Sequence, residues 1–87
     1  SEERATYLQT KEGKKFLIDF PLDKVEEIVD PKSFFRINRK YMISFDSIKE
    51  MLSHSNSRLR LTLHHSKDTD VIVSRERVSE FKMWLDR

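Results

Sequence analysis

Four cations, Lys32, Arg36, Arg39 and Lys40, are interleaved with Phe34, Phe35, Ile37, Tyr41, Met42, Ile43 and Phe45, and no acid intervenes before Asp46. A core segment would exclude the charges and a solvated loop would exclude the aromatics, so the stretch reads as a platform. Phe34, Phe35 and Ile37 can anchor one end in a core, and Tyr41, Ile43 and Phe45 the other. Asn38, Arg39 and Lys40 would then be held outward between the anchors. Asn and Arg can each make paired hydrogen bonds to base edges, and Lys pairs with phosphate. Rigid apolar anchors lower the entropy cost of presenting such groups. The plainer alternative is an amphipathic segment whose long basic side chains lie along its edge.

Other chemistry finds little support. His64 and His65 are adjacent, and neighbours on a strand point to opposite faces, so they do not readily share one ion. There is no cysteine, and the ligand spacing of a metal site is absent. Ser44, Asp46 and Ser47 lie close together, but no nucleophile frame with a base and an oxyanion site surrounds them. Glu26 and Glu27 read as a solvated helix face, and Trp84 as part of a buried helical stripe. The residues therefore imply no catalytic group, no metal and no cofactor.

The elements that must position the basic stretch follow from pattern. Eighty-seven residues make one small domain, with 37% hydrophobic and 37% charged residues. Six Phe, two Tyr and one Trp argue for a folded core. No apolar run reaches membrane-spanning length and no secretory signal is present, so a cytoplasmic soluble domain without membrane insertion is expected. Residues 7–10 and 15–20 read as a hairpin around Gly13, the only glycine. Leu22, Val25, Ile28 and Val29 recur at helical spacing, and Pro31 ends that helix. Residues 48–52 fit strand or helix. Residues 53–57 are a turn by composition. Arg58 to Leu63 alternates strictly, with Leu59, Leu61 and Leu63 on one face. A short strand over 70–73 leads to a final helix that Ser74 can cap, with Val78, Phe81, Trp84 and Leu85 as its buried stripe.

Charge is unevenly placed although the net is only +2. Residues 19–30 carry Asp19, Asp23, Glu26, Glu27 and Asp30 against Lys24, a net −4. Residues 31–67 carry eight Lys and Arg against Asp46 and Glu50, a net +6. A basic half beside an acidic helix is the footprint expected for a polyanion partner.

The segment FFRINRKYMISFDSI resembles the signature of the LytTR-type DNA-binding domain of bacterial transcriptional regulators, approximately F-x-R-x-x-R-S-Y-I-V-N with a later apolar Ile. Leu22-Asp23-Lys24-Val25-Glu26-Glu27 resembles that family's leucine-led helix. Asp30-Pro31-Lys32-Ser33-Phe34 resembles the approach to the motif, and Val71-Ile72-Val73-Ser74-Arg75 resembles the V-S-R before the last helix. The resemblance spans essentially the whole chain. Lys40 stands where the family usually has Ser, and Ser44 where it usually has Asn.

The resemblance implies an α+β, mostly β fold: an elongated domain of short, largely antiparallel sheets with two short helices. It implies sequence-specific duplex DNA binding through loops, as the output module of a bacterial response regulator in a two-component system. Three loops would face DNA: one near Arg4, Ala5 and Thr6, one holding Asn38, Arg39 and Lys40 beside Arg36, and one at Ser74 to Arg77, where Arg75 or Arg77 makes the contact. On this reading residues 1–87 form one domain excised from a longer regulator and lacking the family's first strands. A receiver or other sensory domain would precede it, and two copies would sit on paired direct repeats as a homodimer. The alternatives are a protein–protein interaction module using the basic face, and a single-stranded nucleic-acid binder, which would need exposed aromatics on a sheet.

Overall fold

A computed structural model describes residues 5–87, so Arg4 lies outside the described residues. Three small antiparallel sheets and two short helices make up the fold. Strand β1 (Thr6–Gln9) pairs with β2 (Lys15–Ile18), with Tyr7 opposite Leu17 and Leu8 opposite Phe16. The turn between them needs Gly13, whose φ is +91°. Its amide donates to the Thr10 carbonyl at 2.9 Å. Helix α1 (Leu22–Ile28) follows Pro21 and ends at Val29, before Pro31. Leu22, Val25 and Val29 are half-buried, but Ile28 of the expected apolar stripe is exposed.

The basic stretch folds as a second hairpin, β3 (Phe34–Arg36) and β4 (Met42–Ser44), with Phe34 opposite Ser44 and Arg36 opposite Met42. Strand alternation decides which anchors are used. Phe35, Ile37 and Ile43 join the core side. Phe34, expected as an anchor, is 36% exposed on the opposite face, beside Arg36.

After a 3₁₀ turn at Phe45–Ser47 comes β5 (Ile48–His54), which settles the ambiguous segment as a strand. It pairs with β6 (Arg58–Leu63), and β7 (Ile72–Val73) adds to the far edge of β6. The β5–β6 turn takes positive φ at Asn56 and Ser57. A second 3₁₀ turn, Arg75–Arg77, leads into α2 (Val78–Leu85). Ser74 holds the cap position of that turn, but its side chain makes no capping bond. The turn is closed instead by the Arg77 amide donating to the Ser74 carbonyl at 2.9 Å.

Ile37, Ile43, Leu61, Val71, Val73 and Phe81 form the buried core. Val78, Trp84 and Leu85 pack against it from α2, and Leu59 and Leu63 from β6, as their spacing requires. Phe81 is fully buried, with its ring 5.5 Å from Phe35 and 5.8 Å from Trp84. The Trp84 indole N–H donates to the Pro31 carbonyl at 2.9 Å. That bond ties α2 to the segment entering β3. The described domain measures 32 × 27 × 26 Å, so its long axis exceeds the others only modestly.

Candidate nucleic-acid interface

The loop between β3 and β4, residues 37–41, is built from both ends. Ile37 is fully buried, and its amide donates to the Tyr41 carbonyl at 3.1 Å. Tyr41 is half-buried, and its hydroxyl donates to the Asp68 carboxylate. Burial raises the Tyr41 phenol well above its ordinary value, and the Asp68 hydrogen bond and charge add to this. The same bond holds the Asp68 carboxyl below the usual carboxylate range. Two buried or half-buried anchors thus close a loop whose tip, Arg39 and Lys40, is exposed.

Asn38 does not project freely outward as expected. Its amide donates to the Ile72 carbonyl at 2.6 Å, and its side-chain oxygen accepts the Lys40 amide at 2.7 Å. The side chain therefore fastens the loop to the strand before Ser74. The Ser74 amide donates to the Ile37 carbonyl at 3.0 Å, beside that contact. Two of the expected contact regions, residues 38–40 and 74–77, are in this way held side by side by bonds at their edges, Asn38 to Ile72 and Ser74 to Ile37.

Arg36 also turns inward; its side chain is only 11% exposed. Nε donates to the Asn38 carbonyl at 3.0 Å and Nη2 to the Arg39 carbonyl at 2.5 Å. Nη1 meets Asp23 at 2.5 Å and Glu26 at 3.2 Å. Asp23 and Glu26 stand three residues apart on α1 and so share a face. Sequence pattern alone shows these two partners only as part of a solvated acidic helix.

Arg75 is exposed, whereas Arg77 is half-buried and lines a groove with Glu26, Phe34, Arg36 and Trp84. Thr6 is half-buried on β1, opposite Ile18. Among the described residues, no hydrogen bond or ion pair links β1 to the 37–41 loop. The first hairpin instead meets the segment after β6, where the His65 carbonyl accepts from Gln9 at 3.4 Å, and the 3₁₀ turn after β4, where Asp46 lies 3.7 Å from Lys11. Among the described residues no three His, Asp or Glu are grouped to hold a metal ion. No helix there is long and apolar enough to cross a membrane.

The domain thus combines three small antiparallel sheets, a short acidic helix and a basic loop bonded to the strand and turn that lead into the final helix. The family model described as the LytTr DNA-binding domain matches residues 1–86. The chain belongs to the LytTr DNA-binding domain family. This is a family of DNA-binding domains, not of enzymes. Among solved structures, a LytTr DNA-binding domain of a methyl-accepting/DNA response regulator from Bacillus cereus superposes with a TM-score of 0.81. The two are 23% identical, and the match covers 95% of this chain and 73% of the other. At that identity the likeness bears on the fold, and it agrees with the small antiparallel sheets and two helices of the LytTr domain. No curated protein matches the chain.

Proposed function

We propose that this LytTr domain binds duplex DNA sequence-specifically through its loops, as the output module of a transcriptional regulator. Arg39 reads a base edge, Lys40 pairs with phosphate, and Arg75 supplies the third-loop contact. Asn38 orients the loop. Arg77, turned toward the α1 groove, is a poorer candidate than Arg75 for the third contact. The observation that carries the reading is the direct stitching of the two loops. The Ile37–Ser74 and Asn38–Ile72 bonds, 3.0 and 2.6 Å long, keep exposed Arg39, Lys40 and Arg75 on neighbouring backbone. Membership in a DNA-binding family and the net +6 of residues 31–67 point the same way.

In this reading the domain serves a longer regulator with a receiver or other sensory domain, and two copies occupy paired direct repeats. The test is selection of bound duplexes from a random pool, repeated with Arg39→Ala and Lys40→Ala. Arg39→Ala should cost about 1–3 kcal/mol and relax preference at one position. Lys40→Ala should weaken binding uniformly. An unselected pool would refute base reading, and a shifted preference in Lys40→Ala would refute its phosphate role. Binding to acidic protein but not to duplex would favour a protein–protein module.

A further inference from the structure

We infer that Arg36 is a positioning residue. Held by the Asp23 and Glu26 carboxylates of α1, it sets the backbone of the DNA-facing loop without touching DNA. This rests on the DNA-binding reading of that loop and deepens it. A guanidinium has five N–H groups. Here four bonds use them: two to the consecutive carbonyls of Asn38 and Arg39, and one each to Asp23 and Glu26. At most one N–H is left over, and the side chain is only 11% exposed. Two carboxylates more than offset its charge, so the trio offers a polyanion nothing to attract it.

What the trio controls is direction. Fixing the carbonyls on either side of the Arg39 backbone fixes the peptide planes around that residue, and so the direction in which its side chain leaves the loop. Asn38 completes the restraint by accepting the Lys40 amide at 2.7 Å. The planar fork of Arg suits this task, and a Lys at the position could not span two carbonyls and two carboxylates at once. α1, itself exposed and acidic, thereby becomes part of the recognition apparatus without facing DNA. Its acids lie on the Phe34–Arg36 face of the second hairpin, opposite the core face.

The test compares Arg36→Lys with the paired change Asp23→Asn and Glu26→Gln, using a selected and a scrambled duplex at several salt concentrations. Positioning predicts that Arg36→Lys lowers the selected-to-scrambled affinity ratio about tenfold, near the lower end of what one base contact supplies. Its salt slope should match the wild type. The paired acid change should lower the ratio in the same direction and add nothing in the Arg36→Lys background. If Arg36 were itself a phosphate contact, Arg36→Lys would behave nearly as wild type. Removing two negative charges would then tighten every duplex alike, and that pair of results overturns the inference. Amide exchange in the free protein separates this failure from failure of the DNA reading. Arg36→Lys should speed exchange at the Lys40 amide whether or not any duplex binds, and unchanged protection there overturns the positioning role.

Discussion

Asn38 offers the sharpest test of how the loop is held. Its amide donates to the half-buried Ile72 carbonyl at 2.6 Å, while its oxygen accepts the Lys40 amide at 2.7 Å. Asn38→Asp is nearly isosteric and keeps the acceptor, but it replaces the donor with a carboxylate oxygen facing a carbonyl. The lost bond contributes about 0.5–1.5 kcal/mol, and leaving the carbonyl unpaired against a charge adds about 1–3 kcal/mol at the buried limit. The site is only part-buried, so a total of about 2–3 kcal/mol is expected. For a domain of this length that lowers Tm by roughly 8–24 °C. Asn38→Ala, which removes both bonds without adding charge, should cost about 1–3 kcal/mol. Urea unfolding followed by circular dichroism measures both, and an unchanged denaturant slope would confirm that the two states compared are the same. If Asn38→Asp unfolds within about 0.5 kcal/mol of wild type, in the range of an ordinary surface change, the side chain faces solvent and the stitching argument fails.

Two further predictions concern the frame. The Asp68 carboxyl is held low by the Tyr41 hydroxyl, so its contribution to stability is present above the ordinary Asp range and is lost as pH falls through its depressed value. Tyr41→Phe should therefore lower stability at neutral pH and flatten the loss of stability below about pH 4; parallel pH–stability curves for the two proteins would contradict this. Phe81 is fully buried against Phe35 and Trp84, and Phe81→Ala should cost about 3–5 kcal/mol. That is a large share of the stability of a domain this small, so thermal unfolding should show a broad or absent transition, and a sharp one near the wild-type Tm would refute the placement of the core.

Local pattern made several elements legible. The Gly13 hairpin, the leucine-led helix, the alternation of Arg58–Leu63 and the Val78–Leu85 stripe each have a period or a backbone requirement written into a few consecutive residues. Residues 48–52 are ambiguous for a physical reason: the register shifts between Ile48 and Glu50, which breaks the period of two, and the strand runs on through Ser53 and His54, which turn-like composition alone assigns to the turn. Phe34 is not the expected anchor, because a run of two Phe does not say which faces inward. Pairing with Ser44 and Met42 across the hairpin decides it.

The site was legible in outline and not in its wiring. A basic tripeptide between apolar flanks is visible in the sequence, as is a second cluster at Ser74 to Arg77. That Asn38 bonds a carbonyl 34 residues away is not visible. Nor is the packing that brings Asp23 and Glu26 onto Arg36 across separations of 13 and 10 residues. The one hint was alternation, which sets Arg36 off the core face of its strand and so requires a partner there if it is to be covered.

The central claim is that the 38–40 loop and the entry to the final helix together face duplex DNA. Amide shift mapping of the 15N-labelled domain, titrated with a selected duplex, tests it most directly. The account predicts that the largest changes fall on residues 38–41 and 74–77, and that they shrink as salt rises because bound phosphates displace counterions. Changes centred on β5 or on the Gly13 hairpin, with the Arg39 and Arg75 amides unmoved, would contradict it.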